Sequence, residues 1–150
     1  MDYGGGIGED AIYAAKKGFD VTMMDLPAHT FDFAKWRAKY HGVDIKFIKI
    51  ENGKDIVKKF DAICCFEVLQ HLFEPEKIAL QFIENLNDKG LLFITTRFHN
   101  PGYTMALKKN FKYDEGMERF LTKNGLTLLN KIYQYGAKDI AKHLYIYQKM

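Results

Sequence analysis

Apolar and polar positions change rhythm along the chain, and the changes predict an alternation of strands and helices. "EDAIYAAKK" (9–17) has acids in its first turn, lysines in its last and Gly18 behind it, which suits a helix dipole and a glycine stop. "FDVTMMD" (19–25) reads as a strand. "TFDFAKWRAKY" (30–40) predicts a second helix, capped by Thr30 and ended by Gly42, with Phe31, Phe33 and Trp36 expected to pack in the core or against a sheet. "DIKFIKI" (44–50) is a short β-rich run and "GKDIVKKF" (53–60) a weak helix. "DAICCF" (61–66) is nearly continuous in apolar residues, as in a strand buried on both faces.

Pro75 at a helix start, with Ile78, Phe82, Ile83 and Leu86 at helical spacing, marks the next helix, and "NDKG" (87–90) turns the chain into the strand "LLFITT". The last third reads as an irregular stretch (97–113), a helix in "DEGMERFLTKNG", and two closing strands, "LTLLNKIYQY" and "KHLYIYQKM", that pair as an antiparallel hairpin. Parallel strands need crossover helices, so the alternation predicts an α/β fold: a doubly wound, Rossmann-like, mostly parallel sheet with a C-terminal antiparallel hairpin. Ligands in such sheets bind beyond the carboxyl ends of the strands.

Composition narrows the reading. The chain has 150 residues and is 47% hydrophobic, which suits a single domain over 1–150 with an ordinary core. No apolar run approaches the roughly 20 residues that cross a bilayer, and no signal segment opens the chain, so a soluble, cytoplasmic protein without membrane association is expected. A net charge of +3, with its lysines dispersed, does not predict a nucleic-acid binder. The cluster Lys108, Lys109 and Lys112 reads as a solvated face. Cys64 and Cys65 are adjacent on a strand, cannot readily pair with each other, and have no partner motif for a metal, so reduced thiols and no metal site are expected.

The chemistry concentrates in "DYGGGIGEDAIYAAKKGFDVTMMDLP" (2–27). The dinucleotide pattern Gly-x-Gly-x-x-Gly fails at its third place, where Glu9 stands, and Asp2 would face an anionic pyrophosphate; the same carboxylate favours a ligand carrying an ammonium. A nicotinamide-dependent reductase is therefore disfavoured. Without a Gly-Lys-Ser/Thr ending, the loop is not one for a nucleoside triphosphate. What does fit is Asp-x-Gly-x-Gly-x-Gly, met by Asp2, Gly4, Gly6 and Gly8.

This motif resembles the first motif of the class I S-adenosylmethionine-dependent methyltransferases, here in a form short at its N-terminus. The segment "FDAICCFEVLQHLFEPEKI" is similar to the family's fourth-strand region, with Phe60-Asp61 opening the strand and Glu67-Val68-Leu69-Gln70-His71 following it. The resemblance implies S-adenosylmethionine as cofactor. Asp2 and the glycines would meet its methionine part, Asp25 its ribose hydroxyls and Leu26 its adenine. Phe66 would offer backbone contacts to the methionine end, and Glu51, or its neighbour Asn52, would meet the adenine amino group.

Arg97, His99 and Tyr103 follow the fifth strand and are expected on the acceptor side, with Asn100 beside them. Methyl transfer needs a base only where the nucleophile keeps its proton. No base is assigned; His71, His99 and Tyr103 are the candidates, and His71 reads equally as a hydrogen-bonded packing residue between Leu69 and Leu72. The function so implied is methyl transfer to a small-molecule acceptor; the rival reading is a non-catalytic module of the same fold that binds the cofactor or a partner protein. Only Met1 to Tyr3 precede the glycines, so a truncated first strand and an open crevice are expected, completed by a partner chain or second copy of the protein.

Overall fold

The computed structural model describes residues 1–50, 56, 58–98, 106–113, 116–135 and 141–150. Its contacts group into two compact units, Met1–Asp55 and Ile56–Met150. The first contains β1 (Asp2–Tyr3), α1 (Glu9–Lys16), β2 (Thr22–Asp25), α2 (His29–Tyr40) and β3 (Lys46–Lys49). β1 runs parallel to β2, with Asp2 opposite Met23, and β2 runs parallel to β3, with Asp25 opposite Lys49. Helices join parallel neighbours here as the alternation requires. Ala11, Ile12, Val21, Met23, Phe31, Ala34, Ala38 and Ile45 form the core of this unit.

Two expectations for α2 need correction. Thr30 does not cap it: the cap position is Ala28, which makes no side-chain cap bond, and Thr30 already lies in the first turn. Gly42 does end it, with φ of 64°. Of the aromatic residues, Phe31 is buried and meets Phe47 edge-on at 5.7 Å. Phe33 and Trp36 are exposed instead, and with Tyr40 they stack along the outer face at centroid distances of 5.5 and 5.4 Å. The reason is helical phase: Phe31, Ala34 and Ala38 hold the inner face, and residues 33, 36 and 40 fall opposite it.

The second unit contains β4 (Phe60–Phe66), a 3-10 turn (Leu69–His71), α3 (Pro75–Asn85), β5 (Leu86–Thr95), a second 3-10 turn (Lys108–Tyr113), α4 (Gly116–Lys123), β6 (Leu126–Tyr135) and β7 (Ala141–Lys149). β4 and β5 are parallel, and β7 lies antiparallel between β5 and β6. Ile63 and Cys65 are buried on β4 while Cys64 is half-buried, and both cysteines are reduced. Leu86 is not the last turn of the helix but the first residue of β5, opposite Phe60. "NDKG" does not precede the strand; it bulges from within it. Between the pairs Phe60–Leu86 and Ala62–Leu91 the strand β5 advances five residues against two on β4. Lys89 takes a φ of 61° there, and a Cβ on Gly90 would stand 2.8 Å from the Asn87 carbonyl oxygen.

Half of the weak helix expected over 53–60 lies outside the described residues, as does the connection between β6 and β7; of the other half, Ile56, Lys58 and Lys59 are not helical and Phe60 opens β4. Among the described residues no helix is long and apolar enough to cross a membrane. The architecture is the predicted α/β class, parallel strands joined through helices and an antiparallel C-terminal pair.

Candidate functional site

Gly4, Gly6 and Gly8 all adopt left-handed backbone, with φ of 74°, 56° and 77°. This is why the glycines alternate: each reverses the chain at a place where a side chain would be strained. The Gly4 amide donates to the Met24 carbonyl at 2.7 Å and the Gly8 amide to the Gly5 carbonyl at 2.8 Å, which folds the loop tightly before α1. Gly8 is the cap of α1 and also its contact with α2, since a Cβ there would lie 3.1 Å from the Cβ of Ala34. Gly8→Ala is expected to cost about 1 to 2 kcal/mol from the left-handed backbone alone, read as a fall in the chemical-denaturation midpoint. An unchanged midpoint would refute the constraint.

Asp25, at the end of β2, turns both carboxylate oxygens toward main-chain amides: Oδ2 accepts from Gly6 at 2.6 Å and Oδ1 from Leu26 at 2.7 Å. The acid after the second strand and the glycine loop are thus one assembly. Leu26 is exposed beside it. On the other side of the loop, Arg37 of α2 donates to the Ile7 carbonyl at 2.9 Å and pairs with Glu9, whose carboxyl it holds below the usual range. Sequence reasoning missed Arg37, because nothing in a helical arginine shows that it reaches back to a loop thirty positions earlier.

Asp2 is 6% exposed, and burial, with Asp10 and Asp25 adding to it, pushes its carboxyl up to about 6. Its Oδ2 is shielded from solvent and has no hydrogen-bond partner among the described residues. Gly5, which the motif leaves open, is held to glycine by the same group: a Cβ there would stand 2.5 Å from that oxygen and 3.0 Å from Met23. A signal for Gly5 was present in the run of three glycines.

In the second unit, half-buried Phe66 ends β4 and Glu67 follows with a φ of 57°. The Glu67 amide donates to Thr95 at its carbonyl (2.9 Å) and hydroxyl (3.1 Å). Its Oε2 accepts from Gln70 Nε2 at 3.1 Å and lies 3.6 Å from Arg97 Nε, which brings one expected acceptor-side residue onto a carboxylate the sequence had not singled out. Gln70 in turn accepts from the Thr96 hydroxyl at 2.8 Å, and Asn110 donates to the Gln70 and Leu72 carbonyls. His71 ends the 3-10 turn and is exposed to solvent. A cavity of about 210 Å³ opens beyond β5, with Thr96, Phe98, Tyr113, Lys131, Tyr145 and Tyr147 among its walls. Glu51, Asn52, His99, Asn100 and Tyr103 lie outside the described residues. Among the described residues no cluster of three or more His, Cys, Asp or Glu could hold a metal ion.

A family model described as a methyltransferase domain matches residues 1–135. The chain belongs to the methyltransferase domain family. This methyltransferase domain is 31% identical over 98 residues to a ubiquinone biosynthesis O-methyltransferase of Rickettsia canadensis, an alignment covering 64% of the chain and 41% of that relative. It is 33% identical over 100 residues to the enzyme of that name in Histophilus somni, covering 62% and 41%. The matched chain thus spans about two fifths of the length of these curated relatives.

Among solved structures, magnesium protoporphyrin IX methyltransferase from Synechocystis with bound S-adenosylhomocysteine superposes with a TM-score of 0.79 at 15% identity, covering 99% of this chain and 73% of that one. An S-adenosylmethionine-dependent methyltransferase from Clostridium acetobutylicum gives 0.76 at 12% identity, covering 99% and 82%. These likenesses establish the fold of the methyltransferase domain as that of the class I S-adenosylmethionine-dependent enzymes.

Proposed function

We propose that this methyltransferase domain binds S-adenosylmethionine and transfers its methyl group to a small-molecule acceptor. The observation that carries the reading is the buried Asp2 oxygen without a partner, set behind a loop of left-handed glycines. An uncompensated carboxylate oxygen is costly in a folded chain, and an ammonium donor would satisfy it. The residues present therefore fit the cofactor: Asp2 for its ammonium, Gly4, Gly6 and Gly8 for close backbone approach, Asp25 for the ribose hydroxyls through lone pairs its two amide bonds leave over, and Leu26 for the adenine. Phe66 and Glu51 take their expected places in the same proposal, and Arg97, His99 and Tyr103 theirs on the acceptor side.

When bound, the cofactor supplies a methyl group on a positively charged sulfur. The chain's own contribution is to fix the ligand, exclude water and orient the acceptor, and for a reaction in which charge disperses these supply much of the acceleration. The names of the relatives favour oxygen as the atom methylated, and the reading takes the cytoplasm as its compartment.

Calorimetry with S-adenosylmethionine, S-adenosylhomocysteine and NAD tests the cofactor, and labelled methyl donor mixed with a small-molecule extract tests the transfer. Binding of either sulfur nucleoside in preference to NAD is expected, followed by label in a product of low mass. Tighter binding of NAD would overturn the cofactor; binding without transfer would leave a cofactor-binding module in place of the enzyme.

A further inference from the structure

Glu67 and Lys89 are the non-glycine residues with positive φ among the described residues. Lys89 belongs to the bulge in β5, where a reversal of the chain accounts for it. Glu67 stands at the carboxyl end of β4, the region in which sheets of this kind place their ligands. Its strained backbone is held by the two bonds from its amide to Thr95. One carboxylate oxygen, Oε2, is braced by Gln70 and faces Arg97, and Gln70 is itself 3% exposed and fixed by Thr96. The other, Oε1, is shielded from solvent and has no hydrogen-bond partner among the described residues.

A left-handed residue needs no carboxylate for its conformation; glycine would serve better. Nor does packing call for an acceptor atom left without a donor, which is an uncommon and unfavourable state for a shielded oxygen. Strain, bracing from three side chains and an oxygen lacking a donor together describe a group prepared for a ligand hydrogen.

We propose that Glu67 is the catalytic carboxylate of the acceptor side, its Oε1 receiving the hydrogen of the hydroxyl or neutral amine group that becomes methylated. The inference rests on the methyl-transfer reading above. In the step, a lone pair on the acceptor oxygen or nitrogen forms the bond to the methyl carbon while the carbon–sulfur bonding pair returns to sulfur, which loses its positive charge. The electron pair of the acceptor's O–H or N–H bond stays on that atom, and the proton passes to Glu67. Gln70 and Arg97 act through Glu67 as positioning residues: they fix Oε2 and leave Oε1 to the acceptor.

Sinefungin tests this without an identified acceptor, because an amine-bearing carbon replaces the methylated sulfur of S-adenosylmethionine and puts the amine where the transferred methyl would be. Calorimetry should show the wild-type protein binding sinefungin about tenfold or more tightly than S-adenosylhomocysteine, as expected for a hydrogen bond to a charged group. In Glu67→Gln the preference should shrink to about twofold or less, with the affinity for S-adenosylhomocysteine nearly unchanged. Glu67→Gly, which suits the backbone, should melt no lower than wild type. A preference that survives in Glu67→Gln, an equal loss for both ligands, or a lower melting temperature for Glu67→Gly would each overturn the assignment. If S-adenosylhomocysteine binds the wild type but sinefungin gains nothing, Glu67 alone is misassigned; if neither binds, the methyl-transfer reading falls with it.

Discussion

Replacing Asp2 by asparagine should make the ligand-free protein more stable at neutral pH while weakening its hold on the cofactor. Burial, reinforced by Asp10 and Asp25, raises this carboxyl from 3.8 to about 6 in the folded chain. Between those two values the folded state binds more protons than the unfolded state, so stability falls as pH rises through the window. Above it the penalty is complete and amounts to about 3 kcal/mol, at about 1.36 kcal/mol for each unit. Asparagine keeps the shape and an oxygen that can accept from the Ala11 backbone, but carries no charge to desolvate.

Thermal melts from pH 4 to 8 should therefore show wild-type stability declining toward pH 6 while Asp2→Asn stays flatter, ending about 1 to 3 kcal/mol more stable at pH 7. Binding runs the other way. An ammonium requires the ionised carboxylate, so wild-type affinity for S-adenosylhomocysteine should fall about tenfold from pH 7 to pH 5, and that dependence should vanish in the variant along with about 1.5 to 3 kcal/mol of binding. A variant less stable than wild type at pH 7 would show that Asp2 is framework and not a ligand group.

Asp25→Ala should weaken binding of S-adenosylhomocysteine by about 10- to 100-fold, the range for hydrogen bonds to a charged group. Two effects combine in it. The ribose would lose its acceptor, and the glycine loop would lose the 2.6 Å bond from Gly6 that ties it to the end of β2. The second effect should lower the melting temperature modestly, since water can replace the carboxylate at this half-buried strand end. Adenine alone, which has no ribose, should lose less affinity than the full nucleoside. Equal affinity for S-adenosylhomocysteine in wild type and a folded variant would remove Asp25 from the ribose site.

What the sequence made legible was local and periodic. Glycines at alternate places announce left-handed backbone, and an acid at a strand end announces itself because strands are short and their ends few. The hairpin strands were readable for the same reason, and the turn of Gly42 after α2 followed from a single residue. Where reading failed, the cause was a competition the linear pattern does not record. Leu86 fits helical spacing with Phe82 and Ile83, yet pairing with Phe60 draws it into β5. Phe33 and Trp36 are as apolar as Phe31, but the small Ala34 and Ala38 are what let α2 approach its neighbours, so the large rings face outward.

Glu67 stood in a recognised segment and still escaped notice as a site. Its oddity is a backbone angle and an oxygen without a donor, and neither is written in the residue type. Gly5 was signalled only by the run of three glycines. Its place in the motif is unrestricted, and only the position of the Asp2 carboxylate makes a side chain there intolerable.

The stack of Phe33, Trp36 and Tyr40 has a use in measurement. Trp36 is the single tryptophan of the chain and it sits in the Met1–Asp55 unit, between two aromatic rings whose loss would change its emission. Selectively excited indole fluorescence therefore follows the unfolding of that unit, whereas far-ultraviolet circular dichroism weighs the helices and strands of both. Coincident curves mark one cooperative transition. If they separate, the midpoint seen in emission is the stability of the glycine-loop unit alone, and its shift with added nucleoside measures ligand binding at that unit without any enzymatic assay.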